Sequence, residues 1–134
     1  MKETAIRSLA TAIGYPEEVN TASESFVFSV DGGRIEASVE RGRLVLVREL
    51  ASSGDIDLTQ FAGYAAGRVL REEAVLAYDP TDDRLILWQD MPADADAGLL
   101  RRFFEVFAAS CDWWLVRVDG ASPAASVPEM TIRP

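Results

Sequence analysis

The chain has 134 residues, 22 acidic against 13 basic side chains, a formal net charge of −9, an isoelectric point near 4.4, no histidine and one cysteine. Its length is that of one domain with a sizeable core, and a lone cysteine excludes a disulfide framework and favours the cytoplasm. The acidic charge repels phosphate backbones and anionic lipids, so we expect neither nucleic acid nor a membrane surface as a partner. No apolar run reaches the roughly 18 to 20 residues of a membrane span, and "MKETAIRSLATAIG" lacks the continuous apolar block of a signal peptide.

The first element is a helix. Apolar residues recur at helical spacing, and Gly14 and Pro16 follow as residues that end helices. The spaced apolar residues are Ile6, Leu9, Ala10 and Ile13. The pattern predicts a helix from about Lys2 to Ile13.

A three-stranded meander follows from Ser25, where the period changes to two. The first two strands, joined by a turn at Asp31 to Gly33, carry Phe26, Phe28 and Val30, then Ile35, Ala37 and Val39, which alternate with polar residues. The third strand, "RLVLVREL", follows a turn at Arg41-Gly42 and is apolar on both faces, with Leu44 and Leu46 opposite Val45 and Val47.

A middle helix is predicted from Asp57, which forms a capping box with Gln60, to about Glu72. One arc of it faces the core: Leu58, Phe61, Ala62, Ala65 and Val69. A second arc is mostly small: Gly63, Ala66, Gly67 and Leu70. Interior glycines cost a helix about 1 kcal/mol each, so close approach of another backbone would explain them.

The chain continues with a second hairpin and a last helix. "AVLAYD" and "RLILWQ" flank a turn at Pro80 to Asp82, and the second strand is again apolar on both faces. Asp94 or Asp96 caps a helix that runs to about Val116, and its apolar residues sweep half the circumference. The order helix-strand-strand-strand-helix-strand-strand-helix predicts a single α+β domain over residues 1–117, with an antiparallel sheet, and a Pro/Ala/Ser-rich tail over 118–134.

Residues for catalysis are scarce. Without histidine there is no Ser-His or Cys-His nucleophile, and Cys111 lies on the apolar arc of the last helix as a structural thiol. Asp79, Thr81, Asp83 and Asp90 have calcium-loop spacing, but Arg84 occupies the position that requires glycine, which favours a hairpin turn. The aspartate pairs before helices serve as caps. We therefore expect no catalytic residue, no metal and no cofactor.

The stretch from Ala74 to Trp114 carries a family resemblance. "AVLAYDPTDDRLILWQDMP" resembles the hairpin of the class I type III secretion chaperones, the Tir chaperone (CesT-like) family, with Met91 where leucine is usual. "LLRRFFEVFAASCDWW" resembles the family's closing amphipathic helix. The front half matches by element order and by "RLVLVREL", so the resemblance covers residues 1–117.

The resemblance implies a homodimer that holds the N-terminal segment of a secreted effector in extended form, without cofactor or substrate turnover. The expected client contacts are Ile6 and Ile13 at the rim of the first helix, and Val27, Val45, Val47, Ile86 and Trp88 on the strands. The expected dimer contact is the small arc of Gly63, Ala66, Gly67 and Leu70. The residues agree with this expectation, because contiguous exposed apolar surface normally marks an interaction site.

Two other functions stay open. A chaperone-like fold can serve a regulator that sequesters another protein, which would present the same surface and differ in its partner. A small-molecule-binding or enzymatic domain would instead require a deep pocket lined with convergent polar groups.

Overall fold

The computed structural model describes residues 5–15, 25–30, 33–52, 62–63, 66 and 73–120. Its elements are α1 (Ala5–Ile13), β1 (Ser25–Val30), β2 (Gly33–Glu40), β3 (Arg43–Ser52), β4 (Val75–Asp79), β5 (Arg84–Pro92) and α2 (Ala97–Gly120). Of the predicted middle helix, Ala62, Gly63 and Ala66 are helical, and its other residues lie outside the described ranges.

The five strands form one antiparallel sheet in the order β1-β2-β3-β5-β4. β3 is central and pairs with β2 on one side and β5 on the other, with one irregularity between Glu49 and Ala51. The β4–β5 hairpin therefore joins the meander through β5, and β4 forms the second edge. This architecture confirms the predicted α+β class.

α1 ends at Ile13, and a turn at Arg41-Gly42 joins β2 to β3, both as predicted. Gly14 has φ 71°, and the amides of Gly14 and Tyr15 donate to the carbonyls of Thr11 and Ala10, a Schellman motif that closes the helix. Arg41 and Gly42 have φ values of 53° and 76°, the left-handed pair of a tight hairpin turn.

Gly33 differs from its predicted place in a turn. It is the first residue of β2 and pairs with Val30, while Asp31 and Gly32 lie outside the described residues. The guanidinium of Arg48 lies directly over Gly33, where a Cβ atom would clash with it. A residue with a Cβ atom at this position would therefore have to displace the Arg48 guanidinium.

The core lies between one face of the sheet and both helices. α1 packs against α2, and both contact the central strands. The largest completely buried side chains include Phe28 of β1, Leu44 and Leu46 of β3, Phe107 and Trp114 of α2. Cys111, 2% exposed, belongs to the same core, as predicted from its place on the apolar arc.

α2 begins where a cap predicts it and ends later than expected. The Leu99 amide donates to the Asp96 carboxylate over 2.9 Å, so Asp96 is the N-cap. The helix continues to Gly120, past the predicted end at Val116 and through the boundary predicted between residues 117 and 118. Within this last part of the helix, the Arg117 guanidinium donates to the Trp113 carbonyl and stacks 3.5 Å over the Trp113 ring.

Candidate functional site

The two faces of the sheet are covered differently. Residues of β3 and β5 whose side chains enter the core alternate with residues that point to the opposite side, away from α1 and α2. Among the described residues no helix packs on this second side, which we call the open face.

A row of side chains crosses all five strands on the open face. The strand register aligns Val27, Glu36, Val47, Trp88 and Val75 side by side, so four of the five positions are apolar. Val45 and Ile86 lie in the rows on either side of this one. We call the apolar members the open stripe: Val27, Val45, Val47, Val75, Ile86 and Trp88.

The members of the open stripe are accessible. Val75 is 43% exposed, and the other five side chains are half-buried. Those five are the strand residues that the sequence predicts as client contacts, and the structure brings them together on one surface. Val75 was not among the predicted client contacts, although the strand "AVLAYD" also carries apolar residues on both faces, which is the pattern that indicated the others.

A cluster of charges borders one end of the stripe. The Arg84 guanidinium lies 3.1 Å from the Asp79 carboxylate and 3.4 Å from that of Glu36, and within 3.7 Å of those of Glu49 and Asp82. Arg43 pairs with Asp90 at 3.2 Å near the opposite end of the strands. The sequence indicated a solvated turn here and did not predict Arg84 as the centre of a charged cluster.

The ion pair of Asp79 with Arg84 favours the charged form of both groups. The hydrogen bond from Arg84 holds the pKa of the Asp79 carboxyl below its ordinary value, and the same bond raises the pKa of Arg84 above its ordinary value. Four carboxylates surround one guanidinium, so this end of the open face is negative.

The first helix does not supply the predicted rim contacts. Ile6 is 0% exposed, because it faces the sheet from the centre of the buried arc of α1, so its prediction as a surface contact is wrong. Ile13 is half-buried and packs on the core at the end of α1. Since α1 covers the opposite face of the sheet, neither residue continues the open stripe.

The predicted dimer contact is only partly described. Gly63 and Ala66 are helical and exposed, and a Cβ atom added to Gly63 would meet no atom within 4 Å. Among the described residues, no contact therefore requires a glycine at position 63. Gly67 and Leu70 lie outside the described residues, and Ala62 is exposed rather than core-facing as predicted.

The calcium-like spacing forms a hairpin turn. Asp79 accepts hydrogen bonds from the Thr81 amide at 3.0 Å and from Arg84, and Asp83 accepts one from the Tyr78 hydroxyl at 2.6 Å. Within the described ranges no group of three or more cysteine, aspartate or glutamate side chains could hold a metal. In the same part of the chain, no helix is both long and apolar enough to span a bilayer.

The fold is shared with solved structures that include a chaperone–effector complex, a complex from a type III secretion system and a putative transcription regulator. No family model and no curated protein matches the chain. The structural neighbours include the HopA1–SchA chaperone–effector complex, with a TM-score of 0.67 and 16% identity over 84% of this chain and 91% of that one. The ExsC–ExsE complex matches with a TM-score of 0.67 and 15% identity over 91% and 93% of the two chains.

A third neighbour is the ExoU–SpcU complex from the type III secretion system of Pseudomonas aeruginosa, with a TM-score of 0.61 and 17% identity over 83% of this chain and 93% of that one. Identities this low show a shared fold. The fold that the resemblance implied is therefore confirmed, while membership of the narrower Tir chaperone (CesT-like) family stays a prediction.

Proposed function

We propose that this protein is a non-catalytic chaperone of the cytoplasm that binds the N-terminal segment of a type III secreted effector as a homodimer and keeps it competent for export. The observation that carries the proposal is the open stripe, which lies on a sheet face without a covering helix among the described residues. Within it Val47, Trp88 and Val75 lie side by side across β3, β5 and β4, and Glu36 separates them from Val27. Contiguous exposed apolar surface on a soluble domain marks a site of interaction.

The geometry of the stripe suits an extended client. Apolar client side chains can lie along the stripe while the client main chain remains extended, as in strand recognition. β1 and β4 are the edge strands of the described sheet, so a client strand could add beside either of them.

Charge supports a client of a particular composition. The net charge is −9, and four carboxylates surround Arg84 at one end of the open face. A segment that mixes apolar with basic residues would be attracted to this surface, whereas an acidic one would be repelled.

The homodimer rests on the small arc of the middle helix. Gly63 and Ala66 are exposed in the single chain, so an isologous contact through them, with Gly67 and Leu70, would bring two backbones close together. The family resemblance supports the same assembly.

The test begins with finding the client. Tagged wild-type protein and the Val45→Asp and Trp88→Asp variants are used to capture partners from the cells of origin, and the bound segment is mapped on a partner that is secreted. Thr11→Asp, an exposed position of α1 on the other side of the sheet, is the control. Titration of the mapped segment should show wild-type affinity for the control and weaker binding by both stripe variants, by about 1 to 3 kcal/mol.

Circular dichroism and melting temperatures of the same variants make the result decisive. Normal folding with wild-type affinity for both stripe variants would show that the open stripe is the wrong surface. A captured partner that is never secreted would favour the regulator instead.

A further inference from the structure

A groove separates the N-terminal half of α2 from β5, on the helix-covered side of the sheet. Its volume is about 160 Å³, and its apolar walls are Met91, Leu99, Phe103 and Val106. Leu99 is 53% and Val106 38% exposed, so the apolar arc of α2 is only partly used by the core. We call this feature the α2 groove; it contains no residue of the open stripe.

Gln89 lines the groove and is a buried polar residue among apolar neighbours. It is 3% exposed and pairs with Leu46 across the sheet, and the next residues of β5 on the same face, Leu87 and Met91, are apolar. No donor in the described part of the chain reaches its Oε1 atom. A buried carbonyl oxygen without a partner lowers stability, and a leucine at this position would avoid that cost.

A polypeptide main chain is the natural partner for this amide. The Oε1 atom of Gln89 is a hydrogen-bond acceptor, and each peptide group of a polypeptide other than one before proline supplies an N–H donor. Glu73 and Arg102 line the same groove with opposite charges. Such a pair suits a polypeptide segment better than a lipid acid, which Glu73 would repel.

We infer that the α2 groove is a second client subsite, which takes one apolar side chain of the bound segment while the Gln89 amide hydrogen-bonds to its main chain. This inference rests on the proposed function and adds a contact on the side of the sheet opposite the open stripe. Leu99 and Val106 form the entrance, and Gln89 supplies the polar contact that aligns the segment.

The chain allows a direct measurement, because its side-chain amides are limited to Asn20, Gln60 and Gln89. The full chain labelled with nitrogen-15 is titrated with N-acetyl-leucine N-methylamide, and with the glycine analogue as a control for the side chain. The leucine probe should shift the Gln89 side-chain signals in a saturable way and leave those of Asn20 and Gln60 in place. Absence of this shift, or equal shifts from both probes, overturns the inference.

Variants distinguish probe binding in the α2 groove from nonspecific binding to exposed apolar side chains. Leu99→Ser should weaken probe binding, whereas Val116→Ser, at a more exposed apolar position farther along α2, should not. Gln89→Leu should weaken it about fivefold, the loss of one net hydrogen bond, without lowering the melting temperature. A lower melting temperature with unchanged probe affinity would mean that a buried water satisfies the amide, which overturns the inference.

The same variants distinguish this subsite from the proposed function. Once the client is mapped, Leu99→Ser and Gln89→Leu should weaken its binding, while Val45→Asp should leave probe binding intact. Wild-type client affinity in both groove variants overturns the subsite and leaves the proposed function standing. If Leu99→Ser instead changes the sedimentation of the free protein, the groove is occupied by a second copy and the inference is wrong.

Discussion

Arg84 is the residue on which the charges of the open face converge. Its side chain is 17% exposed and is surrounded by carboxylates from the β4–β5 turn, β2 and β3. Exposed ion pairs contribute little individually, but the partly buried Asp79 pair also makes a hydrogen bond of 3.1 Å. This pair stabilises the hairpin turn that brings Ile86 and Trp88 into the sheet.

The Asp79 carboxyl should make stability depend on pH. Its pKa is lowered in the folded state by the Arg84 hydrogen bond, so its contribution is present above the unfolded pKa of about 3.9 and is lost as the pH falls through the folded pKa. Asp79→Asn should therefore reduce the decline in the free energy of unfolding below about pH 4, measured by urea titration. Asp94→Asn, beyond the other end of β5, controls for net charge; an unchanged acid decline in Asp79→Asn would contradict the assignment.

Cys111 should behave as a buried structural thiol. It is 2% exposed in the core, and desolvation disfavours the thiolate that reacts. We expect slow reaction with a thiol reagent in the native protein and fast reaction in denaturant. Rapid native labelling, or loss of client binding in Cys111→Ser with normal folding, would refute a purely structural role.

α2 shows at the scale of an element how one helix can serve two surfaces. Leu100, Phe103, Phe104 and Phe107 are buried, whereas Leu99 and Val106 remain exposed on the adjoining arc. The wide apolar arc predicted from the sequence is thus divided between the core and the α2 groove. The position of the helix start determines which residues enter each part.

The N-cap of α2 should be measurable by mutation. Asp96→Ala removes the acceptor of the Leu99 amide and should lower the free energy of unfolding by about 1 kcal/mol. Asp94→Ala is the matched control, because it changes an aspartate just before the same helix and leaves the Asp96 cap intact. Urea denaturation of both variants checks the difference; equal losses would show that the cap hydrogen bond contributes little.

At the scale of the whole molecule, the described residues leave three surfaces for other chains: the open face, the exposed part of the middle helix and the α2 groove. α1 and α2 close the core on one side of the sheet, and on that side the α2 groove still exposes apolar side chains. These surfaces are the ones that the proposed client and dimer contacts use.

The dimer hypothesis predicts a change of mass in solution. Wild-type protein should sediment as a dimer, and Gly63→Arg should dissociate it without unfolding, because the added side chain meets no atom of its own chain within 4 Å of the Cβ position. Ala109→Arg, at an exposed position of α2, should remain dimeric. A monomeric wild type in sedimentation equilibrium would refute the homodimer.

The sequence by itself determined the local structure. Gly14 and the Arg41-Gly42 pair predict a helix end and a turn correctly because each acts through backbone conformation within a few residues. Alternation in "RLVLVREL" separates Leu44 and Leu46 from Val45 and Val47, since successive strand residues point to opposite faces. The sequences of β3 and β5 also show that both faces of each strand carry apolar residues.

Only the tertiary structure decided which apolar face is covered and which distant residues meet. The apolar periodicity of a strand is the same whether a face is buried or open. Which face is buried depends on where α1 and α2 pack, and this packing also buries Ile6. The antiparallel pairing of β3 with β5 aligns Val47 with Trp88 and allows Arg84 to reach Glu36, 48 positions away. These contacts join segments that the chain separates by a long connection, so no local pattern could specify them.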